Sequence, residues 1–203
     1  MPLLTHDQVI DFWFGDLADS ASIIAGRQAG LWWGKAEASD ALIRDRFGPL
    51  VEAAATGALD GWAESAEGRL GLILVTDQFT RTIGRGTPAA FALDPQALAL
   101  CINGIEQGHD QALLPIQRVF FYLPLEHSED LDHQRWCVDL MKALAREADD
   151  LADRTTFEGY VDFAEAHLRI IERFGRFPHR NAILGRASTP EETEFLQQPG
   201  SSF

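Results

Sequence analysis

What the chain lacks narrows its class before any motif is read. Two cysteines, Cys101 and Cys137, lie in helix-like segments with no partner pattern. They read as small hydrophobic side chains in a reducing compartment rather than as a disulfide framework. No uncharged apolar stretch approaches the ~20 residues that cross a bilayer. The opening MPLLTHDQVIDFWFG has no basic stretch ahead of an apolar run, so a cytoplasmic protein without a membrane span is expected. Positive charge is scarce, with 17 Lys plus Arg against 31 Asp plus Glu and a net charge of −14. Such a surface repels phosphate backbones, which excludes generic binding to nucleic acid or to an anionic membrane surface. There is no Gly-x-Ser-x-Gly elbow, and Gly84-Arg85-Gly86 is too short for a dinucleotide or phosphate loop. No cofactor is expected. No segment alternates at period two, so a sheet is not expected either.

What is present is dense helix punctuation. Thr5 with Gln8 forms a capping box ahead of Val9, Ile10 and Trp13. Asp40 opens a run that Gly48-Pro49 should break, and Ser65 begins a stretch to about Thr82 with apolar residues on more than one side. Asp94-Pro95 reads as an N-cap followed by proline at the first helical position, with a stop at Gly108. The segment IQRVFFYL between Pro115 and Pro124 is taken as helix because its neighbours are helices. Ser128 is expected to cap a helix to about Ala148, Thr155 with Glu158 to open one that stops at Gly175, and Thr189-Pro190 to start the last. The result is about nine or ten helices with short connectors, a single all-α domain over residues 1–203 built from helix hairpins.

Three stretches are polar where a bland helical core would not require it. The first is Thr76-Asp77-Gln78-Phe79-Thr80-Arg81, in which Arg81 can also be a simple complement to a helix C-terminus. The second is Glu126-His127-Ser128-Glu129-Asp130, where His127 contributes nothing to capping. The third is Arg173-Phe174-Gly175-Arg176-Phe177-Pro178-His179-Arg180-Asn181. Residues 169–186 hold five arginines against Glu172 alone. Two readings stay open for this basic island. It can bind a phosphate or carboxylate at a helix start, or it can pair internally with the acidic residues between Glu129 and Glu165. His167 falls on an apolar stripe and reads as a hydrogen-bonded core histidine. Glu106-x-x-His109 and Asp130-x-x-His133 have metal-ligand spacing but lack further carboxylates on suitable helices, so no metal is expected.

DQFTRTIGRGTPAAFALDPQALAL, FFYLPLEHSEDL and RFGRFPHRNAILGRASTPEETEFL together resemble the bacterial domain-of-unknown-function family 924. The resemblance implies a tetratricopeptide-like right-handed α-α superhelix and supplies no reaction, ligand or catalytic residue. Thr80 and Thr82 stand where relatives commonly have Pro and Asn. It also implies that EHSED and RFGRFPHRN form a shared site, facing each other across a groove. The expected function is binding of a small anionic ligand, with or without chemistry on it, in a pocket lined by Arg81, His127, Arg176, His179, Arg180 and Asn181. His127 and His179 are the candidates for acid/base work. The alternative is a tetratricopeptide-like scaffold for a peptide or protein partner, with Trp32, Trp33 and Trp62 as anchors unless these fill the core.

Overall fold

The computed structural model describes residues 3–34 and 36–202. Its elements are α1 (His6–Phe14), α2 (Ala21–Trp32), α3 (Glu37–Ala55), α4 (Ala66–Ile73), α5 (Thr80–Ile83), α6 (Asp94–Glu106), α7 (Pro115–Glu126), α8 (Leu131–Glu147), α9 (Leu151–Phe174) and α10 (Pro190–Phe195). A π-helical segment, Leu74–Phe79, joins α4 to α5 without a break, and short 3-10 turns fill several connectors. No strand occurs among the described residues, and the all-α expectation holds. Consecutive helices α6, α7, α8 and α9 pack on one another, which is compatible with tetratricopeptide-like pairing, and α2 lies against both α7 and α9. Among the described residues no helix is long and apolar enough to cross a membrane.

Two helices sit inside the others. Residues 68–80 are all buried, and so are Ile116–Glu126 of α7. A helix covered on every side must settle its polar side chains internally, because water cannot do it. Arg69 shows how: its guanidinium donates to the carbonyls of Ala63 and Leu100 and to Gln107 Oε1 and His109 Nδ1. Around these helices the aromatic core links Trp13, Trp32, Phe47, Phe79 and Phe120, and Trp32 Nε1 donates to the carbonyl of Trp13 at 2.8 Å. Burial fraction therefore assigns Trp32 to the core. Trp62 is half-buried, and Trp33 lies parallel to Phe120 with half its surface exposed. Cys101 and Cys137 are free and buried, with thiols pushed well up by desolvation.

Several boundaries differ from those read in the sequence. The α3 helix runs through Pro49, because Phe47 and Leu50 on either side are both fully buried and hold the backbone helical. Asp130, not Ser128, caps α8, accepting from the amides of Asp132 and His133, while Ser128 Oγ accepts from Asp130 N–H. Asp150 caps α9, which starts four residues ahead of Thr155, and Thr155 Oγ1 donates back to the Leu151 carbonyl inside the helix. The capping boxes at Thr5 and Thr189 and the left-handed stop at Gly175 form as expected.

Candidate functional site

The widened π-helical turn matters because it sets where Asp77 points. An inserted residue in a helix shifts the following side chains round the axis. Asp77, at 1% exposure, reaches His127 at the C-terminal end of α7, with Asp77 Oδ1 2.7 Å from His127 Nδ1. Arg81 lies one turn on, its Nε 3.3 Å from the same Asp77 oxygen and 3.1 Å from His127 Nδ1. Gln78 Nε2 donates to the other oxygen. Burial alone would raise the Asp77 carboxyl, but the His127 and Arg81 contacts and the Gln78 amide outweigh it and hold the group well below the usual carboxylate range. An ionised Asp77 draws the His127 proton to Nδ1, in competition with the Arg81 Nε–H aimed at the same nitrogen. Nε2 then carries the lone pair, and it makes no hydrogen bond among the described residues. Burial and the Arg81 charge lower the His127 pKa against the pull of Asp77, so the ring is neutral at pH 7.

Glu126 and His167 lie behind this pair. Glu126 Oε1 is 3.4 Å from His167 Nδ1, and that nitrogen is also 2.9 Å from the Phe163 carbonyl. Burial pushes the Glu126 carboxyl up to about 8 and the His167 ring down to about 3. At pH 7 the two are therefore an uncharged pair, and their proximity is not an ion pair. The His127 and His167 ring centroids are 6.5 Å apart.

The third wall comes from the turn after α9. Gly175, with φ 67°, ends that helix, and Phe177 then plugs inward at 0% exposure beside His167. The 3-10 turn Pro178–Arg180 carries Arg180 back under the cluster. Its guanidinium is over Phe177 at 4.4 Å and Phe91 at 4.9 Å, and Arg81 also faces Phe91 at 5.4 Å. Asp94 lies between the two arginines, Oδ1 accepting from Arg81 Nη2 at 2.9 Å and Oδ2 standing 3.7 Å from Arg180 Nη1. Arg180 Nε is buried and has no hydrogen-bond partner among the described residues. Desolvation and then the Arg81 charge pull the Arg180 pKa down to about 10. His179 packs on Phe177, and burial followed by the Arg180 and Arg81 charges lowers its pKa to about 4.

Arg81, His127, His179 and Arg180 thus gather in one region, whereas Arg176 and Asn181 lie on a neighbouring ion-pair network. Arg176 Nε donates to Glu192 Oε1 at 2.6 Å and Nη2 to Oε2 at 2.8 Å. Asn181 Nδ2 donates to Glu192 and Ser188, and its Oδ1 accepts from Arg186. Arg186 makes a two-point contact with Glu129, which also accepts the Phe177 amide at 2.7 Å. Arg173 pairs with Glu191. The basic island therefore divides: Arg173, Arg176 and Arg186 pair internally, and Arg180 alone of the inner arginines turns toward Arg81. EHSED and RFGRFPHRN do lie against each other, through Glu129 directly. The open depression of about 440 Å³ between α8 and α9, lined by Lys142, Ala145, Arg146, Glu158, Val161 and Asp162, touches none of these groups. Among the described residues no set of three or more His, Cys, Asp or Glu side chains is placed to hold a metal ion.

Reading the sequence missed Asp94, Phe91 and Glu126. The signal for Asp94 was present but read as an N-cap. In the structure its side chain makes no cap hydrogen bond and goes to the arginines instead.

A family model described as "Bacterial protein of unknown function" (DUF924) matches residues 9–200. A solved structure of a protein of unknown function from Agrobacterium tumefaciens is similar, with 41% sequence identity, a TM-score of 0.78, and coverage of 95% of this chain and 96% of that one. No curated protein matches the chain.

Proposed function

The chain belongs to that bacterial family of proteins of unknown function, and we propose that it binds a small anionic ligand at the cluster of Arg81, His127, His179 and Arg180. Asp77 orients His127 there for acid/base work. The observation that carries the reading is Arg180: a guanidinium at 6% exposure with an unpartnered Nε and a nearest carboxylate 3.7 Å away. A buried cation left short of partners costs free energy unless something else meets it. The second supporting feature is the Asp77–His127 pair, which holds a neutral imidazole against the Arg81 guanidinium. Arg176 and Asn181 support the site from outside it through Glu192. We place the protein in the cytoplasm, which suits its two buried free thiols. The scaffold reading has less support, because Trp32 is spent in the core and Trp62 is half-buried.

Sulfate or phosphate should raise the melting temperature more than chloride at matched ionic strength, since a specific ligand stabilises only the folded state. Salting-out also favours sulfate, so the comparison is with Arg180→Ala. That variant should lose most of the anion-specific increment and keep the general salt effect. An increment fully retained in Arg180→Ala contradicts the proposal. Because burial lowers the pKa of both His127 and His179, the sulfate increment should be nearly flat between pH 7 and 8.

A further inference from the structure

Asp94 and Phe91 come from one connector, between α5 and the first residue of α6, and together they cover both guanidiniums of the cluster. The two oxygens of the Asp94 carboxylate face different arginines, Oδ1 toward Arg81 at 2.9 Å and Oδ2 toward Arg180 at 3.7 Å. A seat with one guanidinium per oxygen fits a planar, two-oxygen anion, and the Phe91 ring over both guanidiniums covers it. Asp94 fills it incompletely. Its contact to Arg180 is beyond hydrogen-bond distance, and Arg180 Nε is left without an acceptor among the described residues. Asp94 is the first residue of α6, one past the N-cap position at Leu93, and its carboxylate makes no capping hydrogen bond that would hold it away from the arginines. The connector that carries it is mostly on the surface: residues 85–89 are exposed, Gly86 takes φ 77°, and Ala90 is its buried anchor.

Resting on the anion-site reading above, we infer that Asp94 is an internal stand-in, and that the natural occupant of the seat between Arg81 and Arg180 is the carboxylate of a small ligand, which displaces it. Swinging the Asp94 carboxylate outward and lifting Phe91 would open the seat between the two guanidiniums. Binding then competes with an intramolecular carboxylate, and the apparent affinity is the intrinsic one multiplied by the fraction of molecules in which Asp94 is displaced.

The test is calorimetric titration of the wild type and Asp94→Asn with acetate, with benzoate as a carboxylate carrying its own ring, and with inorganic phosphate. Removing the competing charge should tighten acetate and benzoate by roughly tenfold or more, with a smaller gain for phosphate, and adding Arg180→Ala should abolish the gain. If the wild type shows the anion-specific thermal shift described above but Asp94→Asn binds carboxylates no more tightly, Asp94 only organises the arginines. The stand-in inference is then overturned while the anion site survives. A gain for phosphate alone overturns the carboxylate class. Failure of both proteins to respond to any anion overturns the site and the inference together. Should Asp94→Asn not fold, Phe91→Ala decides: it keeps the carboxylate but removes the ring over the arginines. It should bind acetate several-fold more tightly than wild type, and unchanged or weaker binding overturns the inference.

Discussion

Replacing Glu126 by glutamine should make the protein's stability less sensitive to alkali, and the size of the effect follows from where the carboxyl lies. Glu126 is 5% exposed, and its charged form would sit in the core with Asp77 near by, so its pKa rises from 4.5 to about 8. A carboxyl raised in the fold stabilises fully below its unfolded pKa, and that contribution is lost as pH rises toward the folded value. A rise of about three and a half units corresponds to about 5 kcal/mol at ~1.36 kcal/mol per unit. Of this, about 3–4 kcal/mol falls between pH 5 and pH 8. The histidines act the opposite way. His167, His179 and His127 are held neutral, so their contribution is present at neutral pH and lost as pH falls below the unfolded value near 6.5. Subtracting wild type from variant at each pH cancels those terms. Glutamine keeps the shape and cannot ionise. Urea denaturation at pH 5, 6.5 and 8 should therefore show Glu126→Gln gaining on wild type by about 3–4 kcal/mol across that range. A difference that stays constant with pH would mean that Glu126 ionises in the fold as it does in the unfolded chain, and the neutral-pair account would be wrong.

Asp77→Asn should lose about 3 kcal/mol in the same denaturation assay, because it leaves Arg81 and His127 without their buried carboxylate. A loss below about 1 kcal/mol would mean that the pair contributes little. Gly175→Ala should cost about 1 kcal/mol, since the α9 stop needs a left-handed φ of 67° at that residue. A neutral outcome in thermal unfolding would show that the turn relaxes. Phe157→Ala should cost about 3–4 kcal/mol and Tyr160→Ala clearly less, because Phe157 is buried and Tyr160 only partly so. Equal losses would contradict that ranking of the α9 faces.

Helix starts were legible where one residue type had one job. Thr5 with Gln8 and Thr189 with Glu192 are complete local devices, and each forms. Legibility failed where two capping residues competed within a few positions, as Ser128 and Asp130 do, because local chemistry gives both the same score. It also failed at Pro49, where burial of Phe47 and Leu50 overrides a local breaker. The π-helical turn leaves no local mark, yet it is what delivers Asp77 to His127, so the inner half of the site was not readable residue by residue. Glu192 illustrates the same limit from the other side. The sequence shows its capping role, while its second role, holding Arg176 and Asn181, depends on the chain folding back from α9. Charge counting found the basic island correctly and had no means of telling which arginine turned inward.

The central claim is that an anion binds beside a neutral His127 whose Nδ1 proton is held by Asp77, and nitrogen-15 spectra of histidine-labelled protein test it most directly. At pH 7 without added anion, His127 should show the tautomer protonated at Nδ1. Adding phosphate should move its Nε2 resonance, while His109, hydrogen-bonded to Arg69 elsewhere in the fold, should stay in place. The same addition to Arg180→Ala should leave His127 unmoved. A His127 protonated at Nε2, or one that ignores phosphate in the wild type, would contradict the account.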